Sequence, residues 1–585
     1  MKEERLQNWD KKEELDCLLF FALRIRELVF DYTLDTFKYP ALNSTASCKE
    51  AIELINEIES NIISVKSLEP IVAELQWKIR QDYVVKKMVG EDIQYYLNFG
   101  DIANHKEIKL KLQLLYNKIS PNKYCLVTED LLEKIIAENK EKKTISKLAA
   151  TYVSSLINLG FSQSYIYITT NNHFFSTTSI NNLDSLRNFF SCFTRVQETY
   201  TVILRCSNLF LELSKSSFAF RSEISNTITD DISKLDKHGF TRTKQKNESF
   251  FIANEIKALD PVSAKTEAER RINKLSKLFV FYHHKKHPTW LSKALVINNK
   301  SKNTFLLDNR VSPMSKGRDL EPQKAAIELN KLIRGLELDS ESFAKYDRAI
   351  DLHGLSIENK YIENQLLQNW IAFETLLVGY SSKSKIDQVL DHLVPFLKYK
   401  YIERTIREFS KDLMRQDQVF FSKQLKKIII GENLTEKTAA LITLDAYKTN
   451  RVEIYKHLEM SPLLKWRLSQ FHDFFGSPKG IKEFLGTHEL KIIWQIKRMY
   501  RTRNLVVHAG IIPDYTETLV ENSHTYLDLL ISTINDLSIN GNQIRTIEQA
   551  IEEISIRVKK HERYLRDFEG KSIDEKNYVK LIFGH

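Results

Sequence analysis

The sequence predicts a mostly α-helical protein, with an N-terminal helical region, a small α/β region in the middle and a C-terminal helical bundle. Three observations carry this reading. Apolar residues recur at helical spacing through both ends of the chain. Between them, short β-branched and aromatic runs alternate with helical stretches. The chain has 585 residues, more than one hydrophobic core organises, and its 42% hydrophobic content is enough for globular packing. The regions expected are 1–150 (helical), 151–310 (α/β, with an insertion) and 323–585 (helical bundle). Residues 309–323 carry Pro313, Gly317 and Pro322 among several charges, a composition suited to a linker between regions.

In the first region Cys17–Phe30 is strongly apolar, and Ala51–Val65 and Leu68–Val84 continue the helical pattern. Ile108–Lys118 and Thr128–Ala137 follow after polar breaks. Nothing here has catalytic spacing. In the middle region Tyr165–Thr169, Tyr200–Leu204, Phe250–Ala258 and Ala294–Ile297 have strand composition. Leu183–Phe193 and Ser263–Tyr282 are helical between them, and the latter puts Ala268, Ile272 and Leu275 on one side. The order is β-α-β twice, which allows a ferredoxin-like sandwich with residues 208–248 inserted. His283-His284-Lys285-Lys286-His287 follows the second helix. No acid lies beside these histidines to complete a ligand set, so the segment reads as a solvent-facing basic helix end.

Composition excludes several classes. Cys17, Cys48, Cys125, Cys192 and Cys206 are scattered without pairing or metal spacing, which suits a reducing cytoplasm. The first residues, MKEERLQNWDKKEELD, are charged and lack the apolar run of a secretory leader, and no later run approaches membrane-span length. The net charge of +10 is compatible with RNA binding without establishing it. The abundance of Lys, Ile and Asn fits an AT-rich bacterial genome. GENLTEKTAA at 431–440 lacks the second glycine and the Lys-Ser/Thr ending of a phosphate loop.

The chemistry-bearing segment is Arg503-Asn504-Leu505-Val506-Val507-His508, inside MYRTRNLVVHAG. A permanent cation, an amide and an imidazole fall within six residues. RNA carries its own nucleophile, the 2′-hydroxyl beside each phosphate. A catalyst has to take that proton, stabilise the phosphorane and protonate the leaving 5′-oxygen. Histidine is suited to the proton transfers, and arginine offers a planar fork of donors to phosphate oxygens. No metal or cofactor is needed for these steps. Leu490–Val507 reads as one helix stopped at Gly510. On an ideal helix positions five apart differ by about 140°. Arg503 and His508 therefore share a face only where the last turn unwinds. Arg501 and Asn504 share the His508 face, and helix geometry alone favours Arg501 as the phosphate contact. Arg348 and His353 repeat the spacing without the asparagine and read as part of a structural helix.

Arg-Asn-x3-His resembles the motif of the ribonuclease members of the HEPN family (higher eukaryotes and prokaryotes nucleotide-binding). A second segment, Gln365–Leu377 (QLLQNWIAFETLL), has an amphipathic pattern through Leu366, Trp370, Phe373 and Leu377 that Glu374 interrupts. An acid after a Trp/aromatic pair is similar to the first core helix of that family, and of its Apea-like group in bacterial anti-phage systems in particular. The resemblance spans Tyr346–Leu537.

The resemblance implies an all-helical domain whose cleft forms where two copies meet, and hence a homodimer. Arg503 would then stabilise the phosphorane, Asn504 would orient and His508 would handle protons. Arg501 remains a second phosphate contact. Glu374 is either a solvated residue at the helix edge or a carboxylate that reaches across the bundle to hold an arginine of the motif. Residues 390–485, between the two anchors, are longer than a minimal bundle needs and are expected to add inserted helices. The implied function is a cytoplasmic, toxin-like anti-phage endoribonuclease that leaves 2′,3′-cyclic phosphate ends. Its substrate would be RNA, with tRNA one candidate, and a phage-derived trigger would act through the N-terminal half. Two rivals stay open. The domain either grips nucleotide or RNA without cutting it, or it only dimerises while the N-terminal half carries the activity.

Overall fold

A computed structural model describes residues 6, 8–10, 12–60, 64–177, 179–308, 311–316, 319–539 and 544–584. Among them the protein is mostly helical, with one five-stranded antiparallel sheet in the middle of the chain. No helix of the described residues is long and apolar enough to cross a membrane.

The N-terminal core is built around the helix Asp16–Leu28. Leu18, Phe20, Phe21 and Ile25 point to different sides of it and all are fully buried, as expected of a helix apolar around its circumference. It packs on the helices Lys142–Leu159 and Gln163–Phe174, and also on Pro462–Phe475 from the C-terminal region. That last contact brings a buried charge to a buried partner. Arg467 Nη2 donates to Glu27 Oε1 at 2.6 Å, Arg24 Nη1 donates to Glu27 Oε2 at 2.7 Å, and the Phe37 ring lies 3.8 Å under the Arg467 guanidinium.

The strand expected at Tyr165–Thr169 is instead part of the helix Gln163–Phe174. Its β-branched composition is overridden by a buried stripe at fourfold spacing, Ile166, Thr170 and Phe174. Ser162 caps the helix by accepting from Tyr165 N at 3.1 Å, and Asp260 fixes Ser162 by accepting from its backbone N–H at 2.8 Å. The first of the two β-α-β units is therefore absent.

The sheet contains β1 (Glu198–Ser207), β2 (Ser222–Ser225), β3 (Glu248–Ala258), β4 (Trp290–Asn298) and β5 (Thr304–Leu307), in the order β2-β3-β1-β4-β5. The helix Pro261–Tyr282 carries the chain from β3 to β4, and β1 lies between these two strands. The second β-α-β unit thus forms in split form. Alternation along β1 sends Val202, Leu204 and Cys206 to the face covered by Ala264, Ala268 and Ile272 of that helix. Ile203 joins Phe250, Leu295 and Phe240 on the other face. His283 to His287 form a surface loop after the helix, with His284 and His287 exposed.

Two cores make up the C-terminal region. One gathers Trp370, Phe373, Val389, Leu393, Ile496 and Met499, from the helices Ile362–Leu377, Lys385–Lys398 and Pro478–Asn504, with Thr516–Ser538 and Ile547–Asp567 packed around them. The second belongs to residues between the two sequence anchors, including Ile406, Phe409, Phe421 and Phe475, and is completed by Ile481, Leu485 and the C-terminal Leu581 and Ile582. The described part of the linker is docked. Met314 is buried in the first of these cores, and Lys316 pairs with Glu521 and, at 3.6 Å, with Asp31. Gly317 lies outside the described residues.

Candidate active site

The motif sits at the end of the helix Pro478–Asn504, which joins three parts of the molecule. Ser477 caps its start by accepting from Gly480 N at 3.1 Å, and Pro478 fills the first turn where its missing N–H costs nothing. Ser477→Ala is expected to destabilise the protein by about 1 kcal/mol, read as a small fall in melting temperature. Along the helix, Ile481 and Leu485 enter the inserted core, and Ile492, Ile496 and Met499 enter the bundle core. Trp494, Arg498 and Arg501, at helical spacing, face the N-terminal helices Ser44–Glu59 and Leu68–Gln81.

That third face is a buried ion cluster. Glu50 Oε1 and Oε2 accept from Arg498 Nε and Nη2 at 2.9 and 3.0 Å, a two-pronged pair. Arg498 Nη2 also donates to Glu74 Oε2 at 2.6 Å, and Glu74 Oε1 pairs with Lys78 Nζ at 2.6 Å. Arg501 Nη2 donates to Glu50 and, at 2.9 Å, to the Tyr515 hydroxyl. The Trp77 and Trp494 rings meet edge to face at 5.1 Å beside it. Burial alone would raise the Glu50 carboxyl, but the Arg498 and Arg501 guanidiniums outweigh it and hold the group down at about 2.

Two sequence expectations change here. Arg501 is buried at 9% exposure and engaged by Glu50 and Tyr515. It holds the helix to the N-terminal region and is not presented as a phosphate contact. The face it shares with His508 on an ideal helix is the buried one. Glu374 does not reach an arginine of the motif. It accepts from Trp370 Nε1 at 2.7 Å on its own helix and from Lys385 Nζ at 3.4 Å. Four residues separate it from Trp370, which places the carboxylate beside the indole N–H. Trp370 in turn touches the motif helix through Tyr500, with ring centroids 5.4 Å apart. Glu374 thus reaches the motif only through two aromatic rings.

Arg503, Asn504 and His508 are at the surface. Arg503 and Asn504 are half-buried and linked, Arg503 Nη1 donating to Asn504 Oδ1 at 2.9 Å. From Leu505 to Ala509 the backbone widens to a π-helical turn, closed by Gly510 N donating to Leu505 O, and Gly510 then ends the helix at φ +65°. That left-handed conformation is one glycine adopts without strain. The wider turn narrows the angular gap between Arg503 and His508, and such turns recur at functional sites. Leu505 is buried and anchors the turn, while Val507 and His508 are exposed. The imidazole has no hydrogen-bond partner among the described residues. The arrangement presents a cation, an amide and a free imidazole to solvent on one short turn.

Sequence reasoning missed Glu50 and Glu74. The signal available was an acid within an apolar stripe. Glu50 lies beside Ala51 and ahead of Leu54, and Glu74 sits between Ile71 and Leu75.

No protein-family model, no curated protein and no solved structure matches this chain.

Proposed function

We propose that the protein is an endoribonuclease of the HEPN type that cleaves RNA by attack of the 2′-hydroxyl on the adjacent phosphate. The bond from 2′-oxygen to phosphorus forms, the bond to the 5′-oxygen breaks, and the products carry a 2′,3′-cyclic phosphate and a 5′-hydroxyl. His508 moves the protons, Arg503 stabilises the phosphorane and Asn504 holds Arg503 in place. The observation that carries this reading is a division of labour on one helix. Arg498 and Arg501 are buried in ion pairs, while Arg503, Asn504 and His508 are left at the surface around a π-helical turn. The exposed apolar residues Val507, Ile511 and Ile512 flank His508 and suit contact with a second copy, so that two sets face one RNA strand. We further propose that the protein acts in the bacterial cytoplasm as a toxin-like anti-phage effector, and that its N-terminal half holds the activity low until triggered.

The test is incubation of the full-length protein with total bacterial RNA in EDTA, with and without phage-infected lysate depleted of host ribonucleases, followed by identification of the new 3′ ends. Cyclic phosphate ends made by the wild type and absent with His508→Ala are expected. Equal signals from the two proteins, or none with infected lysate, would favour a domain that binds RNA without cutting it.

A further inference from the structure

The helix Thr516–Ser538, which follows the motif, carries His524 and Asp528 four residues apart and hence on one face. His353 faces them from the helix Ser340–Glu358. His353 Nε2 lies 2.9 Å from Asp528 Oδ1, and His524 Nε2 lies 3.3 Å from Asp528 Oδ2. The two imidazole rings stand 5.2 Å apart, and the donor atoms of all three residues fall within 4.8 Å of one another. Among the described residues this is the one grouping of three or more metal-ligating side chains.

A plain hydrogen-bonded His-Asp-His arrangement accounts for this poorly. His353 Nε2 is buried and has no hydrogen-bond partner despite its closeness to the carboxylate. We propose that His353, His524 and Asp528 form a binding site for a first-row divalent transition metal of the zinc type. Bonds of about 2.0–2.1 Å at tetrahedral angles separate neighbouring donors by about 3.3 Å, which the donor atoms, all within 4.8 Å of one another, can reach by small side-chain rotations. Two imidazoles and one carboxylate favour zinc-like ions over magnesium or calcium, which prefer all-oxygen sets. The ion would tie the helix Ser340–Glu358 to the helix Thr516–Ser538 that follows the motif.

The experiment uses the full-length protein stripped with a chelator and dialysed, titrated with Zn2+ by calorimetry and with Co2+ by visible absorption. One ion per chain, a tetrahedral cobalt spectrum, and a melting temperature raised by Zn2+ and unchanged by Mg2+ are expected. His353→Ala and Asp528→Asn should each weaken binding by at least about tenfold. Both are partly exposed positions, so the metal-free variants should melt close to metal-free wild type. A double substitution of His283 and His287 by alanine should bind as the wild type does. No binding by the wild type, binding unchanged by both site variants, or binding lost with the His283/His287 variant would overturn the proposal.

Discussion

Glu50→Ala is expected to destabilise the protein by about 3–5 kcal/mol, because it strips a shared carboxylate from two buried guanidiniums. Arg498 would keep Glu74, and Arg501 would keep only the Tyr515 hydroxyl. A large fall in melting temperature, well beyond that of Ser477→Ala, is the readout. Glu50→Gln, which keeps the shape and one acceptor, should fall between the two. The same carboxylate predicts a pH dependence. Glu50 is held at about 2 in the folded chain, against an ordinary value of about 4.3 once unfolded. A depressed folded value means the stabilisation is fully present above the unfolded value. It is lost as the pH falls from about 4.3 toward 2. The wild type should therefore lose melting temperature across that window more steeply than Glu50→Ala. Parallel curves for the two proteins would show that the cluster is not what couples these regions.

The position of this cluster also marks what the sequence could and could not reveal. Local signals were legible. Gly510 stops the motif helix, the strand residues at 200–204, 250–258 and 294–297 lie in β1, β3 and β4, and the segment between the anchors is helical with a core of its own. Long-range pairing was not. Glu50 and Arg498 meet from opposite ends of the chain, so nothing near either residue announces the other. Arg501 looked like a surface contact because helical spacing gives relative angles and does not say which face is buried. Glu374 illustrates the same limit on a shorter scale. Its place within an apolar stripe was readable, but its partner, the Trp370 indole on its own helix, was not. Tyr165–Thr169 failed for a different reason, since stripe burial and the Ser162 cap outweighed β propensity.

The sharpest division within the motif is between its two arginines. Arg503→Ala is expected to lower RNA cleavage by about 10²–10³-fold, the range for removing one preorganised donor to a developing anion, while leaving the melting temperature within about a degree of wild type. His508→Ala should cost about 10²–10⁴-fold, the range for a positioned acid–base group. Arg501→Ala should do the reverse. It leaves Glu50 with an unmatched share of buried charge and removes the donor to the Tyr515 hydroxyl, so it should lower the melting temperature by several degrees. Its cleavage, measured on the folded fraction, should stay far closer to wild type than that of Arg503→Ala. The physical basis is presentation. Arg503 is half-buried, and among the described residues its side chain bonds to Asn504 alone, so it is held in place with donors left for a phosphate. Asn504→Ala should then weaken cleavage less than Arg503→Ala, because it loosens the guanidinium without removing it. A cleavage defect in Arg501→Ala as large as in Arg503→Ala, with no loss of melting temperature, would reverse the assignment and make Arg501 the phosphate contact.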